Sequence, residues 1–440
     1  MTRFTLNGTQ IEVQDGENRT LLEYLRNVKC MKGTKEACST GHCGACSVLV
    51  DGKLMRSCVT LLRRVDGKTV ETIENAPNDA MLPVIQRSFL DVGAVQCGFC
   101  TPGMVMAAKA LLLHNAAPDE PAIYDGLKNN YCRCTGYVKI IDAILLAAEL
   151  FRKGEVPPAP ADWSLGQRVP RVDVEEKVTG TGIYPDDIYL DGMIYGSAVR
   201  SQYPRARVLA IHTEEARALP GVVGVFTAED IPGQNKVGHL VKDWDTMIAV
   251  GDITHYLGDA ICLVAAETPE ILAQAKALVK VDYEELPMVR SPREAMLPDA
   301  PLVHRTGNLL THKHIQRGNP AEAIAKSKHV LTQHFSTPWT EHAFLEPECA
   351  VAFPYKDGVK VYTSDQGVYD TRKEISIMLG WEPERIVVEN KLVGGGFGGK
   401  EDVSVQHLAV LAALRVNRPV KAKLTRQESI NFHPKRHYME

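Results

Sequence analysis

The sequence predicts a multidomain α+β protein, and three observations support this fold class. The chain has 440 residues, which is too long for one hydrophobic core of ordinary size. Its N-terminal stretch, MTRFTLNGTQIEVQDG, alternates apolar and polar residues around Asn7-Gly8, a pair typical of a β-hairpin turn. Residues 137–154, YVKIIDAILLAAELFRKG, instead carry an apolar stripe at helical spacing and end at a glycine.

The charge and the hydropathy of the chain argue against binding to nucleic acid and against association with membranes. The chain has 50 Lys and Arg against 54 Asp and Glu, a net charge of −4, and no long basic run. A surface for nucleic acid or anionic membranes is therefore not expected. No run of about 18 apolar residues occurs, so no transmembrane helix is predicted, and the N-terminus lacks a hydrophobic signal core. We expect a cytoplasmic protein with reduced thiols.

Cysteine spacing defines the predicted first domain, residues 1–77. Of eleven cysteines, nine lie within the first 134 residues. Four of them, separated by four, two and eleven residues, follow the plant-ferredoxin pattern for a 2Fe–2S cluster; they are Cys38, Cys43, Cys46 and Cys58. Gly41 and Gly44 would let this loop wrap tightly around the sulfurs. Zinc is the alternative, although zinc sites usually use two short pairs. Three cysteines fit no ligand pattern and are predicted to be small buried apolar residues: Cys30, Cys262 and Cys349.

Four more cysteines lie in the predicted helical domain, residues 78–154. They form two short pairs and could hold a second metal centre; they are Cys97, Cys100, Cys132 and Cys134. Thr101-Pro102 resembles an N-cap followed by the first helical residue, and Asp119 opens another predicted helix. Paired thiols also suit zinc, so their spacing leaves zinc and an iron–sulfur cluster both open.

The remaining chain is predicted to contain a proline-rich linker and two further units. The linker covers residues 155–166. Residues 167–305 alternate strands with a helix, which predicts an α/β module, and residues 306–440 form the last unit. The last unit contains GGGFGGKE at 394–401, but no acidic residue follows about 20 positions on, as a dinucleotide-binding motif would require. A flexible turn before a helix is the plain alternative.

These motifs, in this order, resemble those of the xanthine dehydrogenase and aldehyde oxidoreductase family of molybdenum hydroxylases. The resemblance rests on CSTGHCGACSV, QCGFCTPG and CRCTGY, then on the run KVTG…Y…D and on GGGFGGKE. It implies a β-grasp ferredoxin-like domain, a four-helix bundle and an incomplete α/β molybdopterin-binding region, with a 2Fe–2S cluster in each of the first two. Ala37 departs from the glycine that the family usually has before its first ligand.

The resemblance also implies roles for individual residues around the molybdenum cofactor. Gln96 and Cys134 would contact the pterin. Gln366 would hydrogen-bond a molybdenum oxo ligand, and Phe397 would lie beside the metal. Glu401 would face the substrate, because xanthine-oxidising members have a carboxylate there and aldehyde-oxidising members tend to have an apolar residue. A solvated charge in the first turn of a helix is the plain alternative for Glu401.

The implied activity is hydroxylation of a purine, xanthine or hypoxanthine, with water as oxygen source and electrons leaving through both clusters. The general base of the family, and the remainder of the molybdenum domain, would lie beyond residue 440. The resemblance further implies molybdopterin, with the cytosine dinucleotide as one form, FAD only on a separate subunit or another electron acceptor, and a homodimer as one assembly. Two alternatives stay open: a related enzyme acting on aldehydes, nicotinate-like heterocycles or aromatic thioesters, and a pure electron-transfer iron–sulfur protein.

Overall fold

The computed structural model describes residues 1–14, 18–155, 165–166, 169–304, 306–432 and 434–440. Most of the predicted linker, residues 155–166, lies outside the described residues. Among those described, no helix combines the length and the apolar character needed to cross a membrane.

The first unit is a five-stranded sheet with strand order β2-β1-β5-β3-β4. Its strands are β1 (Thr2–Leu6), β2 (Thr9–Val13), β3 (Ser47–Val50), β4 (Lys53–Arg56) and β5 (Thr69–Glu71). Strands β1 and β5 run parallel, and the other pairs are antiparallel. As predicted, β1 and β2 form a hairpin, in which Asn7 and Gly8 both have positive φ. A short helix, α1 (Leu21–Glu23), continues as a π-helical turn; its Leu21 packs on the sheet and its Leu22 packs against Cys46 and Cys58.

The second unit is a bundle of four helices, as predicted. They are α2 (Leu82–Val92), α3 (Thr101–His114), α4 (Glu120–Leu127) and α5 (Val138–Lys153). The predicted cap of α4 is confirmed, since the Asp119 side chain accepts from the Ala122 N–H, and α5 ends at Gly154 in the left-handed conformation. The predicted cap of α3 is wrong by one residue. Cys100 occupies the cap because its carbonyl accepts from the Met104 N–H, so Thr101 is already helical.

The rest of the chain is built on a seven-stranded sheet with order β15-β14-β13-β16-β6-β11-β8. The strands of this region are β6 (Ile194–Arg200), β7 (Ala206–His212), β8 (Val222–Phe226), β9 (Lys236–Val237), β10 (Trp244–Asp245), β11 (Ala260–Ala266), β12 (Lys280–Glu285), β13 (Cys349–Tyr355), β14 (Gly358–Thr363), β15 (Ile386–Asn390) and β16 (Val420–Lys423). Strand β16 pairs in parallel with β6, so the sheet unites strands from both sides of residue 305.

The helices of this region precede, connect or follow these strands, and only some of them pack against the sheet. They are α6 (Val174–Thr179), α7 (Glu214–Ala218), α8 (Pro269–Leu278), α9 (Pro292–Ala295), α10 (Pro320–Lys326), α11 (Val368–Leu379), α12 (Gln406–Val416) and α13 (Arg426–Phe432). Helix α12 is buried along most of its length and packs against the central strands. It follows the glycine-rich loop and thereby fixes the C-terminal end of that loop on the core.

Residues 306–340 form an extended segment, the exposed arm, that contains α10 and lies away from the core. Large apolar side chains along it are mostly in solvent, with Ile315 96% exposed, Leu331 80% and Phe335 76%. Its last residues pair with the C-terminal residues through isolated bridges, Thr337 with Met439 and Thr340 with Arg436. An apolar surface of this kind is typical of an interface.

Candidate functional site

The cysteines of the first quartet lie close to one another in the first unit. Its members are Cys38, Cys43, Cys46 and Cys58. Cys38 hydrogen-bonds the thiols of Cys43 and Cys58, and Cys46 bonds that of Cys58. The thiols of Cys43 and Cys58 donate to Cys38 and thereby hold its pKa well below the ordinary cysteine value. The N–H groups of Thr40 and Cys43 also lie 3.5 and 3.4 Å from the Cys38 sulfur. The same kind of contact lowers the pKa of Cys46 but raises the pKa values of Cys43 and Cys58, so Cys38 and Cys46 are the two cysteines favoured as thiolates.

Glycines shape this loop. Gly41 and Gly44 have φ of +81° and +72°, which side chains rarely tolerate. A Cβ on Gly44 would also lie 2.5 Å from the carbonyl oxygen of Asn129, and one on Gly103 would lie 2.3 Å from the carbonyl oxygen of Gly44. The loop is thus pressed directly against the helical bundle, which brings the two cysteine regions together.

The second quartet converges at the N-terminal end of α3. Its members are Cys97, Cys100, Cys132 and Cys134. Cys132 hydrogen-bonds Cys100 and Cys134, while Cys134 also bonds Cys97. Hydrogen bonding from Cys100 lowers the pKa of Cys132, and the Thr135 hydroxyl adds a further donor 3.2 Å from its sulfur. Within the described residues, no group of three or more His, Cys, Asp or Glu side chains is arranged around a single metal ion. The four-sulfur sets with their donors fit iron–sulfur clusters.

The three unassigned cysteines divide into two groups. Cys262 and Cys349 are buried, as predicted. The prediction for Cys30 is wrong, because Cys30 is exposed. It has a φ of +55° at the end of the π-helical turn, and this turn directs it outward rather than into the core.

The segment before Cys97 is held by side chains of the third unit, by which we mean the described chain from residue 169 onward. The Gln96 carbonyl accepts from the Lys177 ammonium at 3.1 Å and from the Arg171 guanidinium at 3.0 Å. The Lys177 stem passes over Gly98, where an added Cβ would lie 2.5 Å from it. Gln96 is exposed and Cys134 is half-buried, so both can be approached from outside. Lys177 belongs to the KVTG run, but nothing in that run indicates this contact.

The glycine-rich loop, residues 394–400, is anchored at both ends by one buried carboxylate. The Gly394 N–H donates to Glu346 Oε2 at 2.6 Å, and the Lys400 ammonium lies 2.8 Å from the same oxygen. Both side chains of this ion pair are 1% exposed. Burial raises the pKa of Glu346, and the charge of Lys400 opposes this rise. Sequence reasoning missed this pair, since no motif links residues so far apart.

The loop brings together two of the predicted site residues, Gln366 and Phe397. Gln366 Oε1 accepts from the N–H groups of Gly398 (3.0 Å) and Lys400 (3.2 Å), and the Gln366 N–H donates to the Lys400 carbonyl. A Cβ on Gly396 would lie 2.3 Å from Gln366 Oε1, so any other residue there would have to displace the Gln366 amide. Phe397, at φ +55°, is 48% exposed. The loop thus leaves the Phe397 ring and the Gln366 side chain at the protein surface.

Glu401 follows the loop directly and is exposed. Its carbonyl oxygen lies 3.8 Å from the Cβ position of Gly367, which places the backbone of Glu401 next to the Gln366 turn. Helix α12 begins only at Gln406, whose side chain accepts from the Ser404 and Val405 N–H groups. The plain alternative for Glu401, a charge in the first helical turn, is therefore wrong.

Four protein-family models match successive parts of the chain. They are described as a 2Fe-2S iron-sulfur cluster binding domain (4–72), a 2Fe-2S binding domain (69–145), an aldehyde oxidase and xanthine dehydrogenase a/b hammerhead domain (179–287) and a molybdopterin cofactor-binding domain (303–440). The chain belongs to the molybdenum hydroxylase family. The matched domains are those that bind two 2Fe–2S clusters and the molybdopterin cofactor.

Relatives match this chain over different lengths. The aldehyde oxidoreductase of Megalodesulfovibrio gigas is 33% identical, over 98% of this chain and 50% of the relative. A probable xanthine dehydrogenase subunit of Bacillus subtilis is 36% identical, over 61% of this chain and 36% of the relative. The solved aldehyde oxidoreductase from Desulfovibrio gigas superposes with a TM-score of 0.91 at 30% identity, covering 99% of this chain and 51% of that chain. This chain thus spans about half the length of the relatives that it matches from end to end.

Proposed function

We propose that this protein takes part in the hydroxylation of a purine, xanthine or hypoxanthine, with water as oxygen source and electrons leaving through two 2Fe–2S clusters. The observation that carries this proposal is the combination, in one chain, of two converging cysteine quartets and a glycine-rich loop that presents Gln366, Phe397 and Glu401. When bound, the molybdenum centre supplies the oxidation chemistry. The side chains of this protein bind, orient and shield the reacting groups.

We assign one cluster to each quartet. The proposed ligands of the first cluster are Cys38, Cys43, Cys46 and Cys58. The proposed ligands of the second cluster are Cys97, Cys100, Cys132 and Cys134. Sulfur sets with N–H and O–H donors beside them support this assignment, because such donors stabilise the charge on a reduced cluster.

We assign the residues around the glycine-rich loop to the molybdenum centre. Since Gln366 Oε1 accepts from two loop N–H groups, its amide nitrogen is left to donate toward an oxygen ligand of the metal. Phe397 would flank the metal, and Gln96 and Cys134 would contact the pterin. The buried Glu346–Lys400 pair supports the loop beneath these contacts.

Glu401 is the residue that favours a purine substrate. An ionised carboxylate accepts from a ring N–H, and a protonated one donates to a ring carbonyl. Both groups occur on oxidised purines, whereas a simple aldehyde offers only its carbonyl oxygen. Glu401 is exposed and its backbone lies beside Gly367, which supports a contact between its side chain and a ligand bound near Phe397.

An aldehyde substrate is the second candidate. It is favoured by the similarity, over nearly the whole chain, to a relative named aldehyde oxidoreductase. An aldehyde has no ring N–H for Glu401 to bind, so the two candidates make opposite predictions for substitutions of this residue.

We propose two partners besides the substrate. The first is the remainder of the molybdenum domain, which would cover the apolar side chains of the exposed arm, residues 306–340. The second is an FAD-containing subunit or another acceptor that takes electrons from the first cluster. The Bacillus subtilis relative is itself named as a subunit, which supports a multi-subunit assembly. We place this assembly in the cytoplasm.

Iron content and electron paramagnetic resonance (EPR) test the cluster assignment. The 440-residue chain, loaded with iron and sulfide, is expected to hold about four irons, two in each 2Fe–2S centre. Cys43→Ser should remove one EPR signal and spare the other. Cys262→Ser is the matched control, because Cys262 is buried but belongs to neither quartet; it should spare both signals. Loss of both signals in Cys43→Ser, or zinc in place of iron, would contradict two independent clusters.

Kinetics of the complete enzyme test the substrate. Glu401→Gln should lower kcat/KM for xanthine or hypoxanthine about 10- to 150-fold, since one charged hydrogen bond is worth roughly 1.5–3 kcal/mol. Glu401→Val should lower it at least as far and shift preference toward aromatic aldehydes. Glu382→Gln is the matched control, an exposed glutamate before β15, at the end of that strand away from the loop. Unchanged purine kinetics in both Glu401 variants would favour the aldehyde candidate.

A further inference from the structure

Tyr184 lies where the two cysteine loops meet, although it belongs to neither cysteine-containing unit. It is 1% exposed and follows α6 in the third unit of the chain. It packs in a small apolar cluster with Ala37, Ala45 and Phe99, to which cysteines of both quartets contribute: Cys38, Cys43 and Cys97. The side chain therefore fills the space between the two proposed cluster sites.

Two contacts tie Tyr184 to the second quartet. Its hydroxyl donates to the carbonyl oxygen of Cys97 at 2.7 Å. Its ring meets the ring of Phe99 edge-on, with centroids 5.0 Å apart and planes at 89°. Phe99 lies between Cys97 and Cys100 in sequence, so both contacts act on the backbone that carries these two sulfurs.

Contacts to the first unit hold Tyr184 from the other side. The Lys35 ammonium lies 4.8 Å from the ring centroid of Tyr184 and 2.8 Å from Asp187 Oδ2. The Tyr184 N–H donates to that same carboxylate oxygen at 3.0 Å, and Arg26 donates to its other oxygen at 2.8 Å. Since Lys35 is three residues before Cys38, the tyrosine is fixed relative to both quartets at once.

We propose that Tyr184 is a positioning residue for electron transfer between the two clusters. It sets the separation of the two cysteine loops, and its hydroxyl raises the reduction potential of the second cluster through the Cys97 carbonyl. A hydrogen bond to that carbonyl withdraws electron density from the ligand segment and so favours the reduced state. One electron passing from the reduced second cluster to the oxidised first cluster makes and breaks no bond, so separation and potential difference govern its rate. This inference rests on the cluster ligands assigned under the proposed function.

Potentiometric EPR on the iron-loaded 440-residue chain tests the role of Tyr184. Tyr184→Phe removes only the hydroxyl. We expect the one-electron equilibrium of the second centre to shift about 2- to 10-fold toward the oxidised state, the effect of one neutral hydrogen bond; tenfold corresponds to about 59 mV. The first centre should keep its potential and the variant should keep its iron.

Tyr189→Phe is the matched control. The Tyr189 hydroxyl also reaches the first unit, where it donates to Asn27 Oδ1 at 3.0 Å, but the side chain is 42% exposed. This variant should leave both potentials unchanged. Unchanged potentials in a fully loaded Tyr184→Phe, an equal shift in Tyr189→Phe, or equal loss of iron from both centres would each overturn the proposal. Iron lost from the second centre alone would also overturn it, because the variant is expected to keep its iron. A wild-type chain that binds no iron would instead overturn the cluster assignment itself.

Discussion

The ion pair between Lys400 and Glu346 is the most deeply buried charge pair beside the glycine-rich loop. Lys400→Met should destabilise the protein by about 3–5 kcal/mol, because it leaves the Glu346 carboxylate buried without its cation. Urea unfolding followed by tryptophan fluorescence measures this loss. Lys373→Met, at an exposed lysine of α11, is the matched control and should change stability by less than about 0.5 kcal/mol. A similar effect in both variants would contradict the importance of the pair.

The penalty of Lys400→Met should depend on pH in a defined direction. Burial already raises the pKa of Glu346 with Lys400 present, and removing the cation raises it further. A carboxyl group whose folded-state pKa exceeds its unfolded value destabilises the fold at high pH and relieves this as it takes up a proton. The variant should therefore be closer to wild type at about pH 5 than at about pH 8. A gap that widens on acidification would contradict this explanation.

Spacing rules explain which site residues the sequence could reveal. The cysteines of each quartet lie close together in sequence, in one loop or in a pair of loops. Their convergence could therefore be predicted from the sequence. The partnership of Glu346 with Lys400 joins two separate loops, and neither residue stands in a pattern that names the other. Tyr184 belongs to the KVTG…Y…D run, but this run does not predict its contact with Cys97. That contact depends on how three units of the chain pack together. The outward turn at Cys30 likewise depends on a local backbone conformation that composition does not encode.

Helix α3 approaches the first cysteine loop so closely that one of its glycines is required. A Cβ on Gly103 would lie 2.3 Å from the Gly44 carbonyl and 3.2 Å from the Ala45 Cα, and neither is a flexible side-chain end. Gly103→Ala should therefore destabilise the packing of bundle against loop by about 1–3 kcal/mol. It should also broaden the EPR signal of the first centre. Thermal unfolding and EPR of the iron-loaded chain measure the two effects.

Gly126 in helix α4 provides the matched control for Gly103. A Cβ there would meet only side-chain atoms of Leu111, the nearest at 3.3 Å. Gly126→Ala should be neutral or stabilise the helix by up to about 1 kcal/mol, since alanine is the better helix former. Opposite signs for the two substitutions are expected. A stabilising Gly103→Ala would show that the bundle and the loop are not in close contact.

Across the whole molecule, a buried cluster of charges joins the first unit to the large sheet. Asp186 is its centre. The Arg26 guanidinium and the Lys423 ammonium lie 3.1 and 2.9 Å from its Oδ2, and the Lys421 ammonium donates to its backbone carbonyl. Burial opposes ionisation of Asp186, but the three cations hold its pKa well below the ordinary value. Asp186→Asn should destabilise the assembled chain by about 3–5 kcal/mol, because three buried cations lose the carboxylate that they share, although Arg26 keeps Asp187 and Lys423 keeps Glu36.

The pH dependence of Asp186→Asn follows from the sign of this shift. A carboxyl group whose folded-state pKa is depressed stabilises the fold above its unfolded pKa and loses this contribution as pH falls. The difference in stability between wild type and variant should be constant from about pH 8 to pH 5 and narrow below about pH 4. Thermal melts across this range measure it. Asp191→Asn, at an exposed carboxylate of the same segment, should show no such dependence.

The parallel pairing of β6 with β16 has a consequence for the order in which the chain acquires structure during synthesis. Strand β6 can pair with β16 only after Val420, the partner of Ile194, has been synthesised. Contacts between residues so far apart in sequence form slowly. The first sheet and the helical bundle need nothing beyond residue 153 for their own strands and helices. On the ribosome, both can fold while β16 is still unsynthesised. Protease treatment of ribosome-bound chains, stalled before residue 400, should therefore yield a protected fragment that ends near residue 155.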